Sequence, residues 1–233
     1  MAKNKFTRDI DRLLIKIKPT TSPEGIQQLE RIRDALVELR KRRLVKINHS
    51  VIEFLCARHL IEEGYHVKVE QLLEGGVLIA DIYATSHNGS GQVRNNNSQN
   101  KSNGTLVVEV ETGFVPPAAA LAPGRYRQAR IAAKIARYSG HAQAFALATP
   151  NYHVLQVPKV LLRQPKDRSS EEIQQLKMLC DYYYTSPPIQ ITELTQTELD
   201  CIYIINVDLE RVVEVPPHRY LDTILRAEGL ILP

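Results

Sequence analysis

Two stretches decide how this chain folds: Gly76–Ala84, GVLIADIYA, and Thr105–Gly113, TLVVEVETG. Each is a short apolar run bounded by Gly or Thr and broken by acid, Asp81 in the first and Glu109 and Glu111 in the second. Runs of this length and composition read as strands buried in a core. A carboxylate buried without a partner costs several kcal/mol, so it must be paired, protonated or bound to a cation. Three carboxylates reaching one sheet end point to a divalent-metal site.

Working outward, Tyr65–Leu72 reads as a further strand, joined to the first stretch by a turn at Glu74-Gly75-Gly76. A helix is expected from Asn48–Ser50 to Gly64, another over Arg125–Ser139, and a strand over Ala142–Ala148. From residue 49 the order is helix, three strands, helix, strand, which belongs to an α/β fold with a mixed central sheet flanked by helices. Beyond Pro150 short helices are expected near Pro158–Leu162 and Ser170–Tyr183, a strand at Ile202–Val207 and a last helix from Pro217 to Glu228. The chain is therefore divided into an N-terminal basic helical arm (1–47), a core (48–150) and a C-terminal α+β extension (151–233). Residues 86–104, SHNGSGQVRNNNSQNKSNG, hold almost nothing that can be buried and read as a flexible loop.

The 233 residues are 43% hydrophobic and 24% charged, ordinary for a globular protein. No apolar run approaches ~18 residues, and the N-terminus lacks the pattern of a secretory signal, so an intracellular, cytoplasmic protein without a membrane span is expected. Cys56, Cys180 and Cys201 form no CxxC pair, which argues against zinc. Their apolar surroundings favour buried thiols, with a disulfide between two of them left open.

Net charge is +4 but unevenly spread. Residues 1–48 hold 13 Lys and Arg against 6 Asp and Glu; the remainder holds 17 against 20. Two helices are expected in the arm, Phe6–Lys18 and a second opened by Ser22-Pro23-Glu24. The second closes on Arg40, Lys41, Arg42 and Arg43. That cluster suits the negative end of a helix and equally suits phosphate contact. Residues 124–140 carry five basic residues and no acid. Arg127, Arg130, Lys134 and Arg137 share one helix face, as a phosphate track beside the carboxylates would. Tyr152 and Tyr182–Tyr184 offer rings for base stacking, although tyrosine clusters more often pack at a domain edge.

Glu109 and Glu111 point to one face of their strand, ~7 Å apart along the backbone. Such a pair holds one Mg²⁺ or two adjacent ones, with Asp81 supplying a bridging oxygen. Glu53 is the fourth candidate. Ser50-x-x-Glu53 also reads as a capping box, and both readings stay open.

The order helix-Glu53, strand-Asp81, strand-Glu109-x-Glu111, basic helix resembles the PD-(D/E)XK nuclease superfamily over roughly Asn48–Pro150. It is most similar to the branch of archaeal Holliday junction resolvases and related archaeal virus nucleases. The resemblance implies a restriction-endonuclease-like core, DNA as partner, a homodimer, and hydrolysis of phosphodiester bonds with Mg²⁺ or Mn²⁺. It assigns Asp81 and Glu109 as metal ligands and matches Glu53 to the helical glutamate of that branch. The family usually carries Lys two residues after the strand glutamate, where this chain has Glu111. Glu111 is then a further ligand or base, Lys134 or an arginine of its stripe offsets charge, and a binding protein without chemistry is the alternative.

Overall fold

A computed structural model describes residues 5–42, 47–86 and 104–227. Helices α1 (Lys5–Ile17), α2 (Pro23–Lys41) and α3 (Ile47–Glu62) precede strands β1 (Tyr65–Leu72), β2 (Ile79–Ser86) and β3 (Thr105–Val110). Then follow α4 (Pro123–Tyr138), β4 (Ala144–Pro150), α5 (Ser170–Tyr183), α6 (Ile191–Gln196), β5 (Cys201–Asn206), β6 (Arg211–Val215) and α7 (Pro217–Ala227). The six strands form one sheet in chain order. The pairs β1–β2, β2–β3 and β5–β6 are antiparallel; β3–β4 and β4–β5 are parallel. This is the mixed α/β architecture that the order of apolar runs predicts. The strand β6 and the short α6 were not anticipated.

Period-two alternation explains the layering. Leu106, Val108 and Val110 of β3 face α1–α3, joined by Ile82, Ala146 and Tyr203 from neighbouring strands. Val107, Phe145, Leu147 and Ile202 face the other way, onto α4–α6. Both parallel connections, β3 to β4 and β4 to β5, carry their helices on that second face. Helix α1 buries Phe6, Ile10, Leu14 and Ile17, and α2 buries Leu29, Ile32 and Leu36, in the same cluster as the sheet. The N-terminal helices are thus one wall of the core, and their apolar stripes are spent inside the chain. The C-terminal segment supplies two strands of the sheet, and Tyr220 hydrogen-bonds the Leu155 amide at 2.8 Å.

Helix α2 opens as its sequence dictates, with the Ser22 hydroxyl accepting the Gly25 amide at 3.1 Å and Pro23 in the first turn. The hairpin between β1 and β2 turns through Gly75 and Gly76, at φ +96° and +70°. The loop expected at 86–104 lies outside the described residues apart from its anchors, where the Ser86 amide donates to the Gly104 carbonyl at 2.8 Å. All three cysteines are free and buried. No helix among the described residues is long and apolar enough to cross a membrane.

Candidate metal centre

The site forms where the sheet opens. Strand β2 pairs with β3 through Ile82 and Val108, and the ladder stops there. At the next position side chains take over the orphaned amides. The Asp81 amide donates to Glu109 Oε1 at 3.1 Å, and the Val110 amide donates to Asp81 Oδ2 at 2.6 Å. On the other side, β1 pairs with β2 at Val69–Ile82 and Gln71–Ala80, leaving Glu70 facing Asp81 without a ladder pair. Glu70 has φ +48°, a left-handed conformation that is costly for a long side chain. Asp81 therefore sits at a break in the hydrogen-bonding of both its neighbours.

Two groups converge on Asp81 from opposite layers. From α3, His49 Nε2 lies 3.0 Å from Asp81 Oδ1 and 3.1 Å from Glu53 Oε1. His49 and Glu53 are one helical turn apart, so both project from one face. From α4, Lys134 Nζ lies 3.0 Å from Glu109 Oε2 and 3.6 Å from Asp81 Oδ2, and donates to the Val110 carbonyl at 2.7 Å.

Electrostatics follow from this packing. Burial opposes charge on Asp81, but Lys134 and His49 outweigh it and hold its carboxyl down at about 2. Burial opposes charge on His49 too, yet the adjacent Asp81 and Glu53 carboxylates raise it to about 10. Glu109 is raised to about 8 by burial and by the Asp81 charge, against the pull of Lys134. Glu70 is raised to about 8 by burial and by its neighbours Glu53 and Asp81.

Glu53 is the outlier. It is 0% exposed, and neither of its carboxylate oxygens receives a well-directed hydrogen bond. A single His49 N–H cannot point at both Glu53 and Asp81. The Glu70 carboxyl is within hydrogen-bonding reach of Glu53, so either a proton kept between the two acids or a cation satisfies these oxygens. Among the described residues, His49, Glu53 and Asp81 are the group whose ligand atoms converge, all within 4.8 Å of one another. A mixed imidazole and carboxylate set suits Mn²⁺ or a similar borderline ion better than Mg²⁺, which takes oxygen ligands.

No protein family, curated protein or solved structure matches this chain.

The positions singled out in the sequence fare unequally. Asp81 and Glu109 do meet, but the Lys134 ammonium stands between them. Glu111 is drawn away: Arg130 Nε donates to its Oε2 at 2.6 Å, and the Gly113 amide to its Oε1 at 2.9 Å. The described residues whose ligand atoms converge are thus Asp81, Glu53 and His49 rather than the expected Asp81, Glu109 and Glu111. The capping reading of Glu53 fails, because α3 begins at Ile47 and places Ser50 inside the helix. The basic stripe of α4 is turned toward the sheet edge rather than outward. Lys134 enters the site, Arg130 pairs with Glu111, and Arg137 donates to the Pro187 carbonyl at 3.0 Å. Arg127 is half-buried, and its buried Nε has no hydrogen-bond partner. Of the α2 cluster, Lys41 and Arg42 each pair with Glu38 at 3.2 Å, Arg40 ends the helix beside them, and Arg43 lies outside the described residues.

Sequence reasoning missed His49 and Glu70. The spacing His49-x-x-x-Glu53 on a helix was a usable signal. Glu70 left none, since a positive φ inside a strand has no sequence mark.

Proposed function

We propose that this protein is a metal-dependent DNA endonuclease of the restriction-endonuclease-like kind. One observation carries the reading: Asp81 at a splayed sheet end, with His49 and Glu53 on one side and Glu109 and Lys134 on the other. His49, Glu53 and Asp81 would hold the divalent ion, Mn²⁺ or Mg²⁺. When bound, such an ion supplies Lewis acidity and lowers the pKa of its water.

The chain's own groups have separate tasks. Lys134, held charged by Glu109 and Asp81, supplies the amine that Glu111 does not, and it is placed to offset charge developing on a phosphate. Glu109, titrating near neutrality, is suited to take or return a proton at its Oε atoms. Asp81 stays ionised and links the two halves. Arg130 fixes Glu111, which organises the turn at Gly113 rather than the chemistry. A two-fold homodimer would match the two strands of duplex or branched DNA.

The alternative, DNA binding without chemistry, draws on the same Lys134: its ammonium already neutralises Asp81 and Glu109, the pair that the sequence reading gives to a metal. The two readings separate cleanly. Purified protein with Mn²⁺ or Mg²⁺ is expected to nick supercoiled plasmid and cut branched DNA, and Asp81→Ala, Glu109→Ala and His49→Ala to abolish this. Cutting that survives in all three variants, in protein free of contaminating nuclease, rejects the site. Salt-sensitive DNA binding with no cutting under any divalent ion selects the alternative.

A further inference from the structure

A tyrosine cluster left unused by this mechanism is wired to the site. Arg130, which holds Glu111, interacts electrostatically with Tyr126, and Tyr126 in turn with Tyr184. The Tyr126 ring meets Tyr183 edge-on, with centroids 5.5 Å apart at 81°, and Tyr183 meets Tyr182 at 4.8 Å and 79°. The Arg137 guanidinium lies 5.4 Å from the Tyr184 ring centroid. At the end of this relay Tyr182 is 75% exposed.

An exposed tyrosine alone means little. Here, however, the ring rests edge-on against Tyr183, which is itself backed by Tyr126. The surroundings are cationic. Arg125 is exposed beside Tyr126, and no carboxylate pairs with Arg125, Arg127 or Arg137 among the described residues. The adjacent acid, Asp181, has both oxygens on Lys177, at 2.6 and 2.5 Å. Met178, 67% exposed one helical turn before Tyr182 on α5, adds apolar surface beside the ring. Rings and arginines together are the chemistry that binds unpaired bases and their phosphates.

We propose that Tyr182, braced by Tyr183 and Tyr126, is a stacking platform for unpaired bases of single-stranded DNA running past the metal centre. The inference rests on the nuclease reading for its choice of polymer and makes the favoured substrate one with a single-stranded segment beside the cut.

Binding of labelled oligothymidylate, of a duplex and of oligouridylate is measured by anisotropy without added metal, so that cutting plays no part. Tyr182→Ala should lower the ratio of single-strand to duplex affinity about tenfold, the effect of one lost stacked base. Tyr182→Phe should keep the ratio within about twofold of the parent. Because Tyr182 is exposed, neither change threatens folding. A ratio unchanged in Tyr182→Ala, or a parent protein that ignores oligothymidylate, overturns the platform. Preference for oligouridylate overturns its assignment to DNA. If Tyr182→Ala loses the stacking but the parent never cuts with Mn²⁺, the platform stands and the nuclease reading falls. If the parent cuts and the ratio does not move, only the platform falls.

Discussion

Glu53 shows what the site costs the fold. A buried carboxylate lacking donors loses about 1–3 kcal/mol to desolvation. Glu53→Gln should therefore stabilise the metal-free protein, by about 1 kcal/mol in urea unfolding, and abolish stabilisation by added Mn²⁺. A variant less stable than the parent, or one still stabilised by Mn²⁺, would contradict this. Glu70 carries the backbone counterpart of that cost. Glycine adopts φ near +48° without penalty, so Glu70→Gly should raise metal-free stability by about 1 kcal/mol. A drop in the unfolding midpoint would show that the left-handed turn is not a strained one. Titration adds a signed expectation. His49 is raised to about 10 from 6.5, so its stabilising contribution is complete below about 6.5 and is lost as pH climbs through about 10. Glu70, raised to about 8, stabilises fully below its ordinary 4.5 and loses that contribution through about 8. Asp81, held at about 2, contributes above its ordinary 3.8 and is constant over this range. The melting temperature of metal-free protein should fall between about pH 6 and pH 9, and Mn²⁺ should restore more of it at the alkaline end, where protons compete less. A flat profile would mean these groups are not buried together.

Among the elements, α4 matters most and was read least well. Its length and its apolar side, Ile131 and Ile135, are legible in the spacing of the sequence. Its basic stripe is equally legible as a stripe, but a linear pattern does not say which neighbour the stripe meets. Lys134 turned inward because two buried acids on β2 and β3 offer it compensation that water cannot match there. The same limit applies to Glu109 and Glu111. Alternation correctly sends both toward the α4 side, yet only packing decides that Arg130 claims one and Lys134 the other. Asp81 and the succession of elements along the chain were legible in the pattern of apolar runs broken by acids, whereas His49 was hidden by a competing reading of the same helix start. Lys134→Met should be destabilising by about 3–5 kcal/mol at neutral pH, because it strands the Asp81 carboxylate, and more so near pH 9, where Glu109, raised to about 8, also loses its proton in the parent. Equal destabilisation at both pH values would exclude a buried charge cluster. Gly113 tests the turn that follows β3. Its φ is +82°, and an added Cβ would stand 2.6 Å from the His153 ring. Gly113→Ala should cost about 1–3 kcal/mol and loosen Glu111.

For the molecule as a whole, the sequence suggests an arm, a core and an extension, while the packing makes them one body. Residues 1–48 do carry the excess of basic charge, and described members of it on α1 and α2, among them Lys5, Arg8, Arg12, Lys16 and Arg31, are exposed on helices whose inner faces are core. Deleting α1 would expose the surfaces that Phe6, Ile10, Leu14 and Ile17 cover, at about 1.5–3 kcal/mol for each side chain. That sum rivals the whole stability of a typical domain, so the truncated chain should aggregate or melt well below the parent in calorimetry. A truncated chain that melts like the parent would show that α1 is dispensable.

The antiparallel run of β2 and β3 puts the acids and the two points where residues 87–103 join the sheet at opposite poles. Asp81 and Val110 mark one end of that pair, and Ser86 and Gly104 mark the other. Evolution or an engineer can therefore rewrite, shorten or fuse cargo into residues 87–103 through attachment points at the pole opposite Asp81. The bridge between Ser86 and Gly104 keeps the two strand ends stapled whatever is spliced between them.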